Sequence, residues 1–427
     1  MHLPTSGLTA DQVHAALDDA ARDDADWRAG RTWSLVYDSP AWHTELVEAA
    51  TQRFAHENAL SHSTFPSTQR FESQVCSMAA SVVCPGAETY GVFTSGGTES
   101  IMVAVKAYRD HTGRRHMVLP TTAHPAFVKA AAYLDMQVTQ VPVEADGRPD
   151  PQRLLDAVTD DTALIGLSAP CFPYGVVDPI EEVGALAQER GVGIHVDAAM
   201  GGLFLPFLDA AGGTPVRYGP DVPGVTSTSV DLHKYGYGAK GASVLLFADN
   251  DLRHAGYHVD TSWPGGAYAA SAVVGTRSVG PAAAAWTAMA ALGTDGYRQL
   301  VRGVMATTRR LQEGLAEAGL QVIGEPPMGV FAVTGDLSVP AVAQRLEARR
   351  WWIDTLDAPP AIHFVVFPRH AAVAEEFLAD VREAVREAEG DTTASAGASY
   401  GVMIRGGELT DDVLRAHLDE RFTVQQP

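Results

Sequence analysis

Lysine is nearly absent from this sequence: Lys106, Lys129, Lys234 and Lys240 are the only four among 31 basic residues. A preference for arginine explains the average position, but any chemistry that needs a primary amine is left with four candidates, because a guanidinium cannot form a Schiff base. Cysteine is as scarce. Cys76, Cys84 and Cys171 are an odd number without CxxC or metal-ligand spacing, which argues against a disulfide framework and a zinc site and suits a reducing cytoplasm. Long apolar runs are missing as well, since glycine, proline or charge interrupts every window of ~18 residues, so no membrane span is expected. The first residues, MHLPTSGLTADQVHAALDDAARDDADW, place acidic residues where a signal peptide needs a basic flank and an apolar run. They read instead as a capped amphipathic helix beginning near Thr9. The 52 acidic residues leave a net charge of −21, which disfavours nucleic acid and anionic membranes as partners. An anionic ligand therefore needs a local pocket.

What is present is organised. At 427 residues the chain is long enough for two or more packed units. From about 88 to 250, short β-rich runs alternate with helical stretches: YGVFT then TESIMVAVKAYRD, RHMVLP then PAFVKAAAYL, ALIGLSAP then PIEEVGALAQER, then VGIHVDAA. That alternation predicts βαβ units and a mostly parallel sheet, with ligands at the carboxyl ends of its strands. A long helical stretch to about Gly319, then QVIG, FAVTG, VPAVAQRLEARR, AIHFVVF and AAVAEEFLADVREAVREAE, predicts a smaller α+β domain. The expected division is an N-terminal helical arm over 1–60, a large domain over 61–285 and a small C-terminal domain over 286–427. The polar segment GDTTASAGAS (390–399) reads as a flexible connection before a last helix near LTDDVLRAHLDERF.

Three segments carry chemistry. Phe93 to Ser100, FTSGGTES, follows a strand and opens a helix, so the backbone N–H groups around Ser95, Gly96, Gly97 and Thr98 could seat a phosphate, although paired glycines also serve tight turns. Asp197 ends the apolar run of HVDAA, where a carboxylate needs a partner; a protonated pyridine nitrogen is one, and a turn cap is the alternative. DLHKYGYGAKG puts Lys234 and Lys240 in one glycine-rich loop between apolar runs, a setting that can activate an amine toward an aldehyde, against the alternative of a basic surface loop. Lys106 and Lys129 fall in helical patterns, where a solvated face is expected. The order of phosphate seat, strand-end Asp197 and Lys234, spaced about 100 and 37 residues apart, fits a pyridoxal 5′-phosphate (PLP) enzyme of fold type I, the aminotransferase-like α/β class, with Lys234 holding PLP as a Schiff base. His124, after a strand in TTAHPAF, stands where that fold stacks a ring on the cofactor; the alternative is a satisfied core histidine.

The sequence resembles the sphingosine-1-phosphate lyases, within the wider group II PLP-dependent decarboxylases. The resemblance rests on LVYDSPAWHTELVEAATQRFAHENAL, FPSTQRFESQV, FTSGGTESIMVAVKAYRD, TTAHPAFVKAA, SAPCFPYGVVDPIEEVGALA, HVDAAMGG, DLHKYGYGAKGASVLLF, WPGGAYAASAVVGTRSVG and IHFVVF, which span nearly the whole chain. It implies that Lys234 links to PLP, Asp197 pairs with its pyridine nitrogen and His124 stacks on its ring. It also implies that Gly97, Thr98 and His233 hold the cofactor phosphate, with Thr276 reaching it from the partner subunit of a homodimer with shared sites. Tyr37 and Lys240 would meet a phosphate on the substrate, and Tyr174 would lie near the reacting carbons. Ser61, His62 and Arg277 complete the substrate-side candidates, with one departure: Ser61 in NALSHSTFP replaces the family's histidine of NPLHPDVFP. The implied reaction is retro-aldol cleavage of a small 2-amino-3-hydroxy compound, phosphorylated as first choice, to an aldehyde and an amine. An L-amino-acid decarboxylase is the second reading. A PLP-binding regulator without turnover is the third, disfavoured because no helix-turn-helix extension precedes the fold.

Overall fold

The computed structural model describes residues 3–391 and 410–422. Its central sheet has seven strands, β1 (Tyr90–Thr94), β2 (His116–Pro120), β3 (Gln137–Val141), β4 (Thr162–Ser168), β5 (Gly193–Asp197), β6 (Val225–Asp231) and β7 (Ser243–Phe247), in spatial order β1-β7-β6-β5-β4-β2-β3. All neighbours from β3 to β6 pair in parallel, and β7 runs antiparallel to both β6 and β1. β2, β4 and β7 are buried along their whole length, as strands covered on both faces must be. β1, β5 and β6 end together in register: Asp197 pairs with Ser229, and Thr94 and Asp231 both pair with Ser243. That convergence gathers the FTSGG, HVDAA and DLHK segments at one edge of the sheet.

A hairpin of β8 (His258–Asp260) and β9 (Tyr268–Ala270) follows. The helical run Gly280–Glu317 then leads to the C-terminal domain, broken at Gly293, whose φ of 55° and ψ of −177° are not helical. The C-terminal domain is a four-stranded antiparallel sheet of β10 (Gln321–Val322), β11 (Val330–Thr334), β12 (Asp354–Asp357) and β13 (Pro360–Val365), ordered β10-β11-β13-β12, with the helices Val339–Ala348 and Ala374–Ala388. The chain therefore has the expected aminotransferase-like architecture, a mostly parallel α/β unit followed by a smaller α+β unit. β3, β12 and the helix Pro151–Asp156 were not anticipated from the sequence.

The N-terminal helix Ala10–Ala20 is capped by Thr9 in a reciprocal box with Gln12, as its sequence predicts. Further along, the chain runs into the C-terminal domain: the Trp33 side chain is fully buried against Trp351, Phe364, His370 and Phe377, and the Trp33 backbone N–H donates to the Trp352 carbonyl at 3.1 Å. The helix Asp411–Phe422 forms where the last one was expected, while residues 392–399 of the proposed connection lie outside the described residues. Among the described residues, no helix is long and apolar enough to cross a membrane.

Candidate active site

The carboxyl ends of β1, β5 and β6 enclose a cavity of about 290 Å³ lined by Ser95, Gly96, Gly97, Thr98, Glu99, Ile101, His124, Asp197, Ala199, Asp231, His233 and Lys234. Every cofactor-side residue singled out in the sequence except Thr276 is in this set. The helix Gly97–Thr112 starts at the cavity wall with its first N–H groups unpaired within the helix, a ready seat for an anion. Gly97 is the residue that the space requires: a Cβ there would lie 3.1 and 3.2 Å from the two carboxylate oxygens of Asp231.

Asp197 is buried, and its Oδ1 accepts from the Ala199 N–H at 3.0 Å and from Ser229 Oγ at 3.4 Å. Ser229 Oγ in turn lies 3.3 Å from Nε2 of His195, whose Nδ1 is 2.7 Å from Ser227 Oγ, so the carboxylate stands on a buried polar chain. Burial pushes His195 down to about 3 and keeps it neutral. Nδ1 of His124 accepts from the Ala126 N–H at 3.1 Å, which fixes the ring at the cavity wall. Burial lowers the His124 pKa despite the opposing charge of Asp197.

Two residues that the sequence reading passed over complete the cavity. Asp231 is 3% exposed. Its Oδ2 sits 3.0 Å from Lys234 Nζ and 3.5 Å from His233 Nε2, and its Oδ1 accepts from Ser243 Oγ at 2.7 Å. Burial works to raise this carboxyl, but the charges of Lys234 and His233 and the hydrogen bonds from Ser243 and Lys234 outweigh it and hold the group below its usual range. The argument that flagged Asp197, a strand-end acid in need of a partner, applies equally to Asp231 in DLHK. Glu99 accepts from the Ser95 N–H at 2.6 Å and from the Val274 N–H at 2.7 Å, tying the phosphate-seat loop to the 271–277 segment. No local pattern could show this, because its partner lies 175 residues away.

The substrate-side candidates divide into three groups. Lys240 lies beside the cavity, its Nζ 4.6 Å from the Tyr37 ring centroid and donating to the Leu35 carbonyl at 2.9 Å. Although its side chain keeps contact with solvent, desolvation and the neighbouring charge of Lys234 push Lys240 down to about 8. Tyr37 donates to Met200 Sδ at 3.3 Å and packs edge-on against Tyr235, which reaches it from the residue after Lys234. Tyr174 lines an adjoining cavity of about 310 Å³ that shares His124, with Phe172, Leu356 and Ala358 among its walls, and its hydroxyl donates to the Ala358 carbonyl at 2.5 Å. Ser61, His62 and Arg277 lie together elsewhere, in a surface cavity of about 830 Å³. There Arg277 pairs with Glu72 at 2.5 Å and His62 stands 3.8 Å from the same carboxylate. Thr276 is exposed and does not line the cofactor cavity of its own chain.

The other two lysines lie away from the cavity. Lys106 does not rest on a solvated face: it is partly buried, and its Nζ donates to the carbonyls of Ala255 at 2.8 Å and Tyr257 at 3.0 Å. Lys129 is exposed beside Tyr133, as expected.

A phosphate seat, a strand-end carboxylate and an amine in one cavity fit a phosphorylated pyridine aldehyde. Residues 42–206 match the family model for aminotransferase class-V. The chain is 34% identical over 436 residues to a sphingosine-1-phosphate lyase of Dictyostelium discoideum, covering 99% of this chain and 82% of that one. Among solved structures, the sphingosine-1-phosphate lyase Bpss2021 of Burkholderia pseudomallei K96243 superposes with a TM-score of 0.86 at 34% identity, covering 91% of this chain and 93% of the other. A Lactobacillus brevis glutamate decarboxylase superposes with a TM-score of 0.78 at 20% identity over 92% and 96% of the two chains, a likeness of fold alone.

Proposed function

We propose that this chain, which belongs to the sphingosine-1-phosphate lyase family and is a PLP-dependent lyase, cleaves a phosphorylated 2-amino-3-hydroxy compound to an aldehyde and a phosphorylated amine. The observation that carries the phosphate into this reading is Lys240. A cofactor phosphate would have its seat at Ser95–Thr98, and a further cation, Lys240, stands beside the cavity with Tyr37 beneath it. In a protein with a net charge of −21, a local cation there would favour an anionic group on the substrate.

When bound, PLP supplies the electron sink for the bond that breaks between Cα and Cβ. The residues around it do the rest. Asp197 would hold the proton on the pyridine nitrogen, and the buried chain of Ser229 and His195 keeps that carboxylate in place. His124 would help hold the cofactor ring from the cavity wall and exclude water there. Lys234 Nζ, which would hold the cofactor, would also be the amine in this cavity able to take and return a proton. Lys240 and Tyr37 would anchor the substrate phosphate and so orient the substrate in the cavity.

Ser61, His62, Arg277 and Thr276 stand outside the chain's own cofactor cavity, which supports a homodimer in which each copy lends these residues to the other's site. The free cysteines suit a cytoplasmic setting. The direct test of the phosphate anchor is Lys240→Ala, with kcat/KM compared for a phosphorylated substrate and its free alcohol. A selective loss on the phosphorylated one, about 1.5–3 kcal/mol, supports the anchor, and an unchanged ratio rejects it.

A further inference from the structure

A carboxylate lies under the phosphate seat. A Cβ at Gly97, the first residue of the helix that would receive the cofactor phosphate, would be 3.1 Å from Asp231 Oδ2, so Asp231 and a phosphate dianion would be close neighbours. Two negative groups this near repel unless cations stand between them. The cation available is Lys234, 3.0 Å from Oδ2; His233 stands 3.5 Å from the same oxygen, but burial lowers its pKa, so it serves as a polar neighbour. Ser243 occupies the other oxygen and fixes the plane of the carboxylate, which leaves Oδ2 directed at the lysine. Lys240 and His124 also act on this cluster, and His124 in turn feels the charge of Asp197.

We propose that Asp231 is a positioning residue for Lys234: it is the seat that holds the lysine's ammonium whenever its nitrogen is not bonded to the cofactor. The proposal rests on Lys234 being the attachment site. Attachment is a condensation in which the amine's lone pair forms a C–N bond to the cofactor's aldehyde carbon and the carbonyl oxygen leaves as water. Only the unprotonated amine has that lone pair. A carboxylate at 3.0 Å favours the ammonium, so Asp231 keeps the nitrogen beside the aldehyde position while restraining attachment until its proton is lost. In turnover the same contact receives Lys234 after the substrate's amine has displaced it, and prevents the long side chain from swinging into the space that the substrate needs. The cost of burying Asp231 next to an anion seat is offset by this pairing.

The test follows PLP attachment to the apoprotein, with the rate of imine formation read from its visible absorbance across pH. In Asp231→Asn the midpoint of the rate profile is expected to move down by about one pH unit or more, because the neutral amide no longer favours the ammonium. Affinity for 4′-deoxypyridoxine 5′-phosphate, which keeps the phosphate but has no aldehyde, is expected not to fall. An unmoved midpoint overturns the proposal, and weaker analogue binding beside it would assign Asp231 to the phosphate seat alone. Where the asparagine variant does not fold, Asp231→Ser removes the charge and leaves room for water, and the same two readings apply. Borohydride reduction and peptide mapping of the wild-type holoenzyme separate the premise from the proposal: label on Lys106, Lys129 or Lys240 would sink the attachment assignment itself.

Discussion

Lys240 donates its ammonium to the backbone carbonyl of Leu35 at 2.9 Å, joining the loop after β6 to a segment 205 residues earlier. Leu35 presents that carbonyl from a left-handed conformation, φ 69°, which a leucine adopts only when its surroundings demand it. The contact gives the Lys240 ammonium a neutral partner.

A pH dependence follows. Burial and the charge of Lys234 bring Lys240 down to about 8, so the anchoring cation is present below that pH and lost as pH rises through it. A substrate phosphate is already close to dianionic there, its second pKa being about 6. The expected result is that kcat/KM for a phosphorylated substrate falls above about pH 8 while that for the free alcohol does not follow. Parallel profiles for the two substrates would contradict the assignment.

Asp197→Ala should leave the fold and the covalent cofactor in place but remove the carboxylate that keeps the pyridine nitrogen protonated, lowering kcat on the order of 10²-fold or more. Near-normal turnover, with the cofactor's visible band intact, would reject that role.

Glu99 is expected to matter for holding the cofactor although it is not a phosphate ligand in this account. Its two oxygens accept from Ser95 and Val274, and Glu99→Gln turns one of them into a donor facing an N–H. The loss of a charge-assisted contact, roughly 1.5–3 kcal/mol, should appear as weaker PLP binding in an absorbance titration of the apoprotein. An unchanged Kd would show that the seat is rigid without this bridge.

Ser61→His restores the histidine of the family's NPLHPDVFP pattern. If a second copy brings that loop to the substrate phosphate, the variant should prefer phosphorylated amino alcohols over their free alcohols more strongly than the wild type does. No change in that preference would place Ser61 outside the phosphate pocket.

The large domain was legible because its buried strands are short apolar runs between helices, and YGVFT became β1 to the residue. β3 was missed for the opposite reason: Gln137–Val141 is an edge strand with mostly exposed or half-buried residues, and it carries no such run. β12 reads Asp-Thr-Leu-Asp, an acidic strand held by its pairing to β13 and not by its own pattern. At the site, residues close in sequence to a loop or strand end were found, since glycine pairs and strand-end acids announce themselves locally. Glu99 owes its importance to a distant backbone N–H, and the separation of Ser61, His62 and Arg277 from the cofactor cavity depends on how the chain folds back on itself. Lys106 shows the limit of periodicity, which puts it on a helix but not against the carbonyls of Ala255 and Tyr257.

The central claim is carbon–carbon cleavage at Lys234, and one product assay tests it most directly. Purified holoenzyme is incubated with a phosphorylated 2-amino-3-hydroxy long-chain base and, separately, with L-amino acids, and aldehyde and carbon dioxide are quantified. The account predicts aldehyde together with an equal amount of phosphorylated amine from the first, little or no carbon dioxide from the second, and no product from either with Lys234→Ala. Carbon dioxide from an amino acid at a higher kcat/KM than aldehyde from the amino alcohol would contradict it.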